Sequence, residues 1–289
     1  MLLIVGEALV VYQRDVGSDP AAPYTGPWPS GAPAITAYIA GRLGVPTAFV
    51  GGVGPDPHGL VLRDGLTAAG VDLGRLVTHA DAPTATAHIT YRGDDHREFD
   101  FRVAGTAATR VTEADLADLP ERAGWLHVSG SALIFGEPLA TTTLAALHRA
   151  HRAGARISLD PNIRPESLHP DTARALLDAL PLAHVLLPSE GELDALGADV
   201  DALVAGGATV CTTRGPAGAV VRDVDGETAI DPVDVLPVDT DGAGDSFAGG
   251  FIAASLGGAD PRTAARLAAG VAAQAIQVPG PMTVVPSLH

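Results

Sequence analysis

Asp239-Thr240-Asp241-Gly242-Ala243-Gly244-Asp245-Ser246-Phe247-Ala248-Gly249-Gly250-Phe251 is the stretch on which the reading turns. A glycine-rich turn leads into an apolar run of helical character, and a carboxylate, Asp245, stands at the junction. Glycines let successive backbone N–H groups point at one spot. The first turn of a helix adds unpaired N–H groups and a partial positive charge. An anion cradle and a candidate base therefore sit side by side, as transfer of a phosphoryl group to a hydroxyl requires. The plainer alternative is a glycine turn before a buried helix, with Asp245 as its cap.

Outward from this stretch, short apolar runs alternate with helical patterns. Strands are expected at Leu2–Val5, Thr47–Gly51, Trp125–Val128, Arg156–Leu159, His184–Leu187, Ala208–Thr212 and Ala219–Arg222. Helices are expected at Pro33–Arg42, Gly59–Ala69, Leu139–Arg152, Asp171–Leu180, Ser189–Leu196, Asp245–Ser255 and Pro261–Gln277. Such alternation predicts an α/β fold with a mostly parallel sheet covered by helices on both faces. Two regions break it: Val10–Trp28, and Thr84–Tyr91 with a turn at Gly93–His96 and a return over Arg97–Val103. Together they predict a small antiparallel sheet beside the main one, either a surface hairpin or a lid over a cleft.

The chain has 289 residues, 46% of them hydrophobic, enough for a sizeable core. Its formal charge of −16 argues against nucleic acid as a partner. No apolar run approaches a membrane span, and Met1–Glu7 reads as a first strand rather than a signal peptide. Cys211 is the only cysteine and its strand-like setting predicts a buried thiol. A cytoplasmic location is the corresponding expectation. All 18 basic residues are arginine, which excludes a Walker-A lysine, a protein-kinase strand lysine and lysine Schiff-base chemistry. The ten histidines do not fall at metal-ligand spacing; His88 and His96 flank the presumed hairpin, and His58 follows Pro57 in a loop near the presumed cleft.

The opening stretch resembles the C-terminal signature of the PfkB-type (ribokinase-like) carbohydrate kinases, and the likeness runs nearly the full length. Gly6-Glu7-Ala8-Leu9-Val10 is similar to that family's first strand and turn. Ser30-Gly31-Ala32-Pro33-Ala34 and Val50–Gly59 resemble its glycine loops, and Asp160-Pro161-Asn162-Ile163-Arg164-Pro165 resembles its sugar-kinase strand end. Ser189-Glu190-Gly191-Glu192 stands where Asn-x-x-Glu is usual. Thr213-Arg214-Gly215-Pro216-Ala217-Gly218 resembles its nucleotide loop. The resemblance implies a three-layer αβα sandwich over residues 1–289, with a β-sheet lid from about 10–30 and 83–104. It implies ATP-dependent phosphorylation of a sugar. Asp245 is then the base, and Gly242, Ala243 and Gly244 form the anion hole. Ser189, Thr213, Gly215 and Gly218 contact the nucleotide, with Gly242 and Gly244. Glu192 meets Mg2+ through water, and Asp239 shapes a monovalent-cation site for K+. Gly31 and Arg102 contact the sugar, Arg102 by likeness to the lid arginine of 2-keto-3-deoxygluconate kinases, and Arg164 either orients the sugar or neutralises charge on the transferred group. A homodimer through the lid is a further implication.

The chain departs from the pattern at three places. Val11 stands where the family often has a sugar-binding Asp, Ile35 where it has Asn, and Ser189 where it has Asn, although fructokinase-like members use serine there. The motif set points to fructose or a related ketose or keto-sugar acid. Val11 and Ile35 also suit a nucleoside, and the lost sugar contacts suit a catalytically weak sugar-binding regulator. Tyr24, Trp28 and Tyr91 are candidates for stacking on a ring, or for packing within the small sheet.

Overall fold

The computed structural model describes residues 1–17, 19, 21–92, 97–163 and 168–288. Its strands are β1 (Leu2–Val5), β2 (Leu9–Asp15), β3 (Thr25–Ser30), β4 (Thr47–Val53), β5 (Asp72–Thr78), β6 (Ala85–Tyr91), β7 (Arg97–Arg102), β8 (Trp125–Ser129), β9 (Arg156–Asp160), β10 (Val185–Leu186), β11 (Thr209–Thr213), β12 (Ala219–Asp223) and β13 (Gly226–Ile230). The α-helices are α1 (Ala32–Arg42), α2 (Pro57–Ala68), α3 (Glu113–Leu116), α4 (Leu119–Arg122), α5 (Ser131–Ile134), α6 (Leu139–Arg152), α7 (Pro170–Ala179), α8 (Glu192–Leu196), α9 (Val200–Ala205), α10 (Ala243–Leu256) and α11 (Pro261–Ala275).

Among the described residues the main sheet has nine strands in the order β13-β12-β11-β10-β9-β8-β1-β4-β5. Strands β11, β10, β9, β8, β1, β4 and β5 pair in parallel, and the β11–β12 and β12–β13 pairings are antiparallel. Strand β1 shows why both faces are covered. Leu2 and Ile4 join one apolar cluster, with Ile39, Leu62, Phe251 and Ala268; Leu3 and Val5 join another, with Leu147, Leu176 and Leu196. Alternate side chains of one strand thus feed two cores, giving the expected three layers. Cys211 is fully buried in β11, as its setting predicts.

The second sheet has the order β3-β2-β6-β7. Its outer pairs are antiparallel, but β2 and β6 run parallel, which corrects the expectation of an antiparallel sheet. The cause is connectivity. β2–β3 and β6–β7 are local returns, whereas β2 and β6 are joined by a long crossover through α1, β4, α2 and β5, which allows parallel pairing. The turn at Gly93–His96 lies outside the described residues. The sheet is pinned to the main body at Asp56, the N-cap of α2. Its carboxylate accepts from the Gly59 amide (2.9 Å), the Thr84 amide (2.8 Å) and Thr84 Oγ1 (2.7 Å), the last two just ahead of β6.

Candidate active site

The carboxyl ends of the parallel strands and one face of the small sheet enclose a cleft of about 830 Å3. Ligands of open α/β sheets bind at this end of the strands. Glu7 enters after β1, Ser131 after β8, Asp160 and Asn162 at the end of β9, and Ser189 and Glu192 after β10; Thr240–Asp245 complete the wall.

Asp245 lies in the first turn of α10, whose N-cap Gly242 adopts the left-handed conformation at φ 73°. A Cβ at Gly242 would come within 2.8 Å of Pro281 and 2.9 Å of Ile35, so the turn requires glycine twice over. At Gly244 an added Cβ would meet nothing within 4 Å, which leaves that backbone open. The amides of a helix start and a carboxylate thus share one corner of the cleft. Asn162 Nδ2 donates to Asp245 Oδ1 at 3.3 Å.

Acidic groups converge here. Burial, then the charges of Asp241 and Glu192, push the Asp245 carboxyl up to about 7. Burial raises Glu7 to about 8, with Asp245 adding to it and the Ser131 hydroxyl, 2.7 Å from Oε1, working against it. Asp160 is held well above the usual range by burial and by Glu192 and Asp245. Burial raises Glu192 as well, although its two oxygens accept from the amides of Ile163 and Ser189, each at 2.7 Å. A carboxyl poised near neutrality beside an anion cradle can take a proton from a bound hydroxyl and give it up to solvent at ordinary pH.

The opposite wall is apolar. Leu9 and Val11 of β2, Ala87 and Ile89 of β6, and Phe99 and Phe101 of β7 line it, joined by Ile35 of α1. Val11 and Ile35 therefore stand on the cleft, and they present hydrocarbon there.

The remaining sequence-predicted residues divide. Gly31, at φ 107°, lines the cleft, where a Cβ would come within 2.9 Å of the Glu7 carbonyl. Ser189 lines it too and pairs with Thr213 across a short parallel bridge. Gly215 (φ 52°) and Gly218 (φ 84°) shape the next turn but are not on the cleft lining. Asp239 sits behind it; its carboxylate accepts from Tyr91 Oη (3.0 Å) and from the amides of Asp241 (3.0 Å) and Gly280 (2.9 Å). Arg102 departs from the expectation. On β7 it alternates with the cleft-facing Arg97, Phe99 and Phe101, so it points to the other face and pairs with Asp100 at 3.0 Å. Arg97 is the cleft-lining arginine of that strand. Arg164 lies outside the described residues. His58 and Tyr24 belong to the outer face of the small sheet. There Tyr12 Oη meets His58 at 2.8 Å, and His88 lies stacked on Tyr12 and edge-on to Tyr24.

Sequence reasoning assigns no role to Glu7, Asp160 or Asn162, although all three fall inside the motifs it quotes. The available signal was position: each polar side chain ends a buried parallel strand or lies two residues beyond it.

Comparison with known proteins agrees with this geometry. The profile of the pfkB family carbohydrate kinases matches residues 1–288. A fructokinase of Salmonella typhimurium is 38% identical over 238 residues, covering 78% of this chain and 76% of that protein. A fructokinase of Klebsiella pneumoniae is 36% identical over 277 residues, covering 89% of each. The crystal structure of fructokinase from Vibrio cholerae O395 with fructose, ADP and calcium ion superposes with a TM-score of 0.84 at 30% identity, over 99% of this chain and 95% of that one. With its fold, its glycine-rich turn and the carboxylate beside it, the chain belongs to the pfkB family of carbohydrate kinases.

Proposed function

We propose that the chain transfers the γ-phosphoryl group of ATP to a hydroxyl of fructose or a closely related ketose. The observation that carries this reading is Asp245 itself: a carboxyl raised to about 7, in the first turn of α10 and beside the open backbone of Gly244. Asp245 takes the proton of the attacking hydroxyl as the new O–P bond forms and the bond from the γ-phosphorus to the departing ADP breaks. The amides at Gly242, Ala243 and Gly244 face the charge on the transferred group, where fixed donors act without reorganising. Gly31 lets the acceptor approach the backbone, Arg164 neutralises charge on the transferred group or orients the sugar, and the small sheet closes over the cleft as a lid, keeping water from the transfer.

Ser189, Thr213, Gly215 and Gly218 are the proposed nucleotide contacts. Mg2+ fits the site as a water-clad ion. Among the described residues no three acidic, histidine or cysteine side chains are grouped to hold a metal by themselves. A single carboxylate, water and phosphate oxygens suit Mg2+. Glu192 is the residue that would hold it, since each oxygen keeps a lone pair beyond its amide bond. The ion would supply charge neutralisation at the phosphates. K+ would sit near Asp239, through backbone carbonyls because its carboxylate is already engaged.

The reading includes a cytoplasmic enzyme, with a homodimer formed through the small sheet and neither nucleic acid nor membrane as partner. Among the described residues no helix is long and apolar enough to cross a membrane. The apolar wall of Val11, Ile35, Ile89 and Phe99 gives a nucleoside kinase as the second reading. A screen of ATP consumption with Mg2+ over fructose, other ketoses, 2-keto-3-deoxygluconate, ribose and nucleosides decides between them. Turnover on ketoses supports the first reading and turnover on nucleosides alone the second. Sugar binding without turnover on any acceptor supports a regulator.

A further inference from the structure

We infer that Asn162 is a positioning residue for Asp245: its side-chain amide holds Oδ1 and so leaves Oδ2 to meet the acceptor hydroxyl. The inference rests on the reading of Asp245 as the base. Asn162 Nδ2 stands 3.3 Å from Asp245 Oδ1 and 3.4 Å from Asp160 Oδ2, between two carboxyls. Among the described residues no other side chain donates a hydrogen bond to the Asp245 carboxylate.

The backbone carrying this amide is unusual and firmly held. Asn162 has φ 44°, a left-handed conformation that few residues other than glycine adopt and that asparagine tolerates best. Its own N–H donates to Asp160 Oδ1 at 3.0 Å. The next amide, Ile163 N–H, donates to Glu192 Oε1 at 2.7 Å, and the Ile163 side chain is buried. The Asp160 carbonyl accepts from Gly130 N–H at 2.8 Å. A Cβ at Gly130 would overlap the Pro161 carbonyl, so that strand end also requires a bare backbone. Strained backbone held by surrounding bonds is characteristic of functional sites, because it fixes a group before the ligand arrives. Glu192 thereby gains a second role, as the clamp of the loop that carries Asn162.

The chemistry favours an amide here. A cation against Asp245 would lower its carboxyl and weaken it as a base. A neutral donor orients the carboxylate while leaving it near neutrality. Small misplacements of a catalytic group cost about 100-fold in rate.

The test uses the full chain with ATP, Mg2+ and fructose. Asn162→Gly keeps the left-handed backbone and removes the amide. It is expected to lower kcat about 10–100-fold while the KM values for ATP and fructose stay within about threefold. Asn162→Ala strains the backbone as well. It should show the same loss in kcat together with a lower melting temperature. Unchanged kcat in Asn162→Gly overturns the inference. So does a rise in fructose KM at constant kcat, or a kcat that falls in step with melting temperature across the two variants. Asp245→Asn, measured in parallel, separates the two readings. If it turns over at the wild-type rate, the base assignment itself fails. If it is inactive beside a fully active Asn162→Gly, only the role of Asn162 fails.

Discussion

Replacing Asp245 by Asn keeps the shape of the side chain and removes its ability to ionise. The unfolded chain releases this proton near the ordinary 3.8, and the folded chain near 7, because burial and the charges of Asp241 and Glu192 oppose ionisation. A folded-state value raised in this way gives stability that is full below about pH 4, falls as pH rises, and is gone above about pH 7. Between pH 5 and pH 8 the wild type passes through about two units of this range, or about 2.7 kcal/mol. Water reaching Asp245 from the cleft screens part of that, so about 1–2 kcal/mol is expected. Asparagine has no such dependence. The stability of Asp245→Asn relative to wild type should therefore grow by about 1–2 kcal/mol from pH 5 to pH 8, while kcat falls by about 10²–10⁴. Guanidinium unfolding at the two pH values and a steady-state assay measure both. A stability difference that is flat, or that shrinks toward pH 8, would refute the argument that Asp245 is a carboxyl strained by burial. A kcat within threefold of wild type would refute its role as base.

Other consequences follow from the same geometry. The wild-type kcat/KM should rise with pH through about 7 and then level off, since the base acts only when deprotonated; a profile falling across that range contradicts it. Gly242→Ala forces a Cβ against Pro281 and Ile35 at a φ of 73°, and should cost about 1–3 kcal/mol in denaturant unfolding along with most of the activity. Arg102→Ala should leave both KM values within about twofold, whereas Arg97→Ala, on the cleft side of β7, should raise one of them at least fivefold; the reverse order would mean that β7 is turned over in solution. Asp56→Ala removes the cap of α2 and its tie to Thr84 and should lower stability by about 1–3 kcal/mol. Although burial opposes it, the Thr84 and Gly59 amides hold the Asp56 carboxyl below the usual range. Its contribution is therefore present above about pH 4 and lost as pH falls further.

What the sequence discloses here depends on whether a feature is local. The glycine turn before α10 and the strand ends carrying Asp160 and Ser189 are legible because backbone geometry and side-chain chemistry coincide in a few residues. Helix α6 keeps its expected bounds because buried Leu139, Thr142, Thr143, Ala146, Leu147 and Ala150 recur at helical spacing. Strand β5 escapes notice because it is a largely exposed edge with little apolar alternation, and β13 has the same character. The parallel pairing of β2 with β6 is set by a long crossover, which no local pattern encodes. The face on which Arg102 lies turns on the pairing register, and β7 carries both aromatic and charged residues, so its composition did not say which set faces the cleft. Glu7 and Asn162 gain significance only when distant strand ends bring them beside Asp245.

The most direct test of the account is initial-rate ATP consumption by the purified chain with Mg2+ and fructose, run beside Asp245→Asn at equal concentration. Fructose-dependent turnover by the wild type, reduced by about 10²–10⁴ in the variant, is the predicted result. Equal fructose-dependent rates for the two proteins would contradict it.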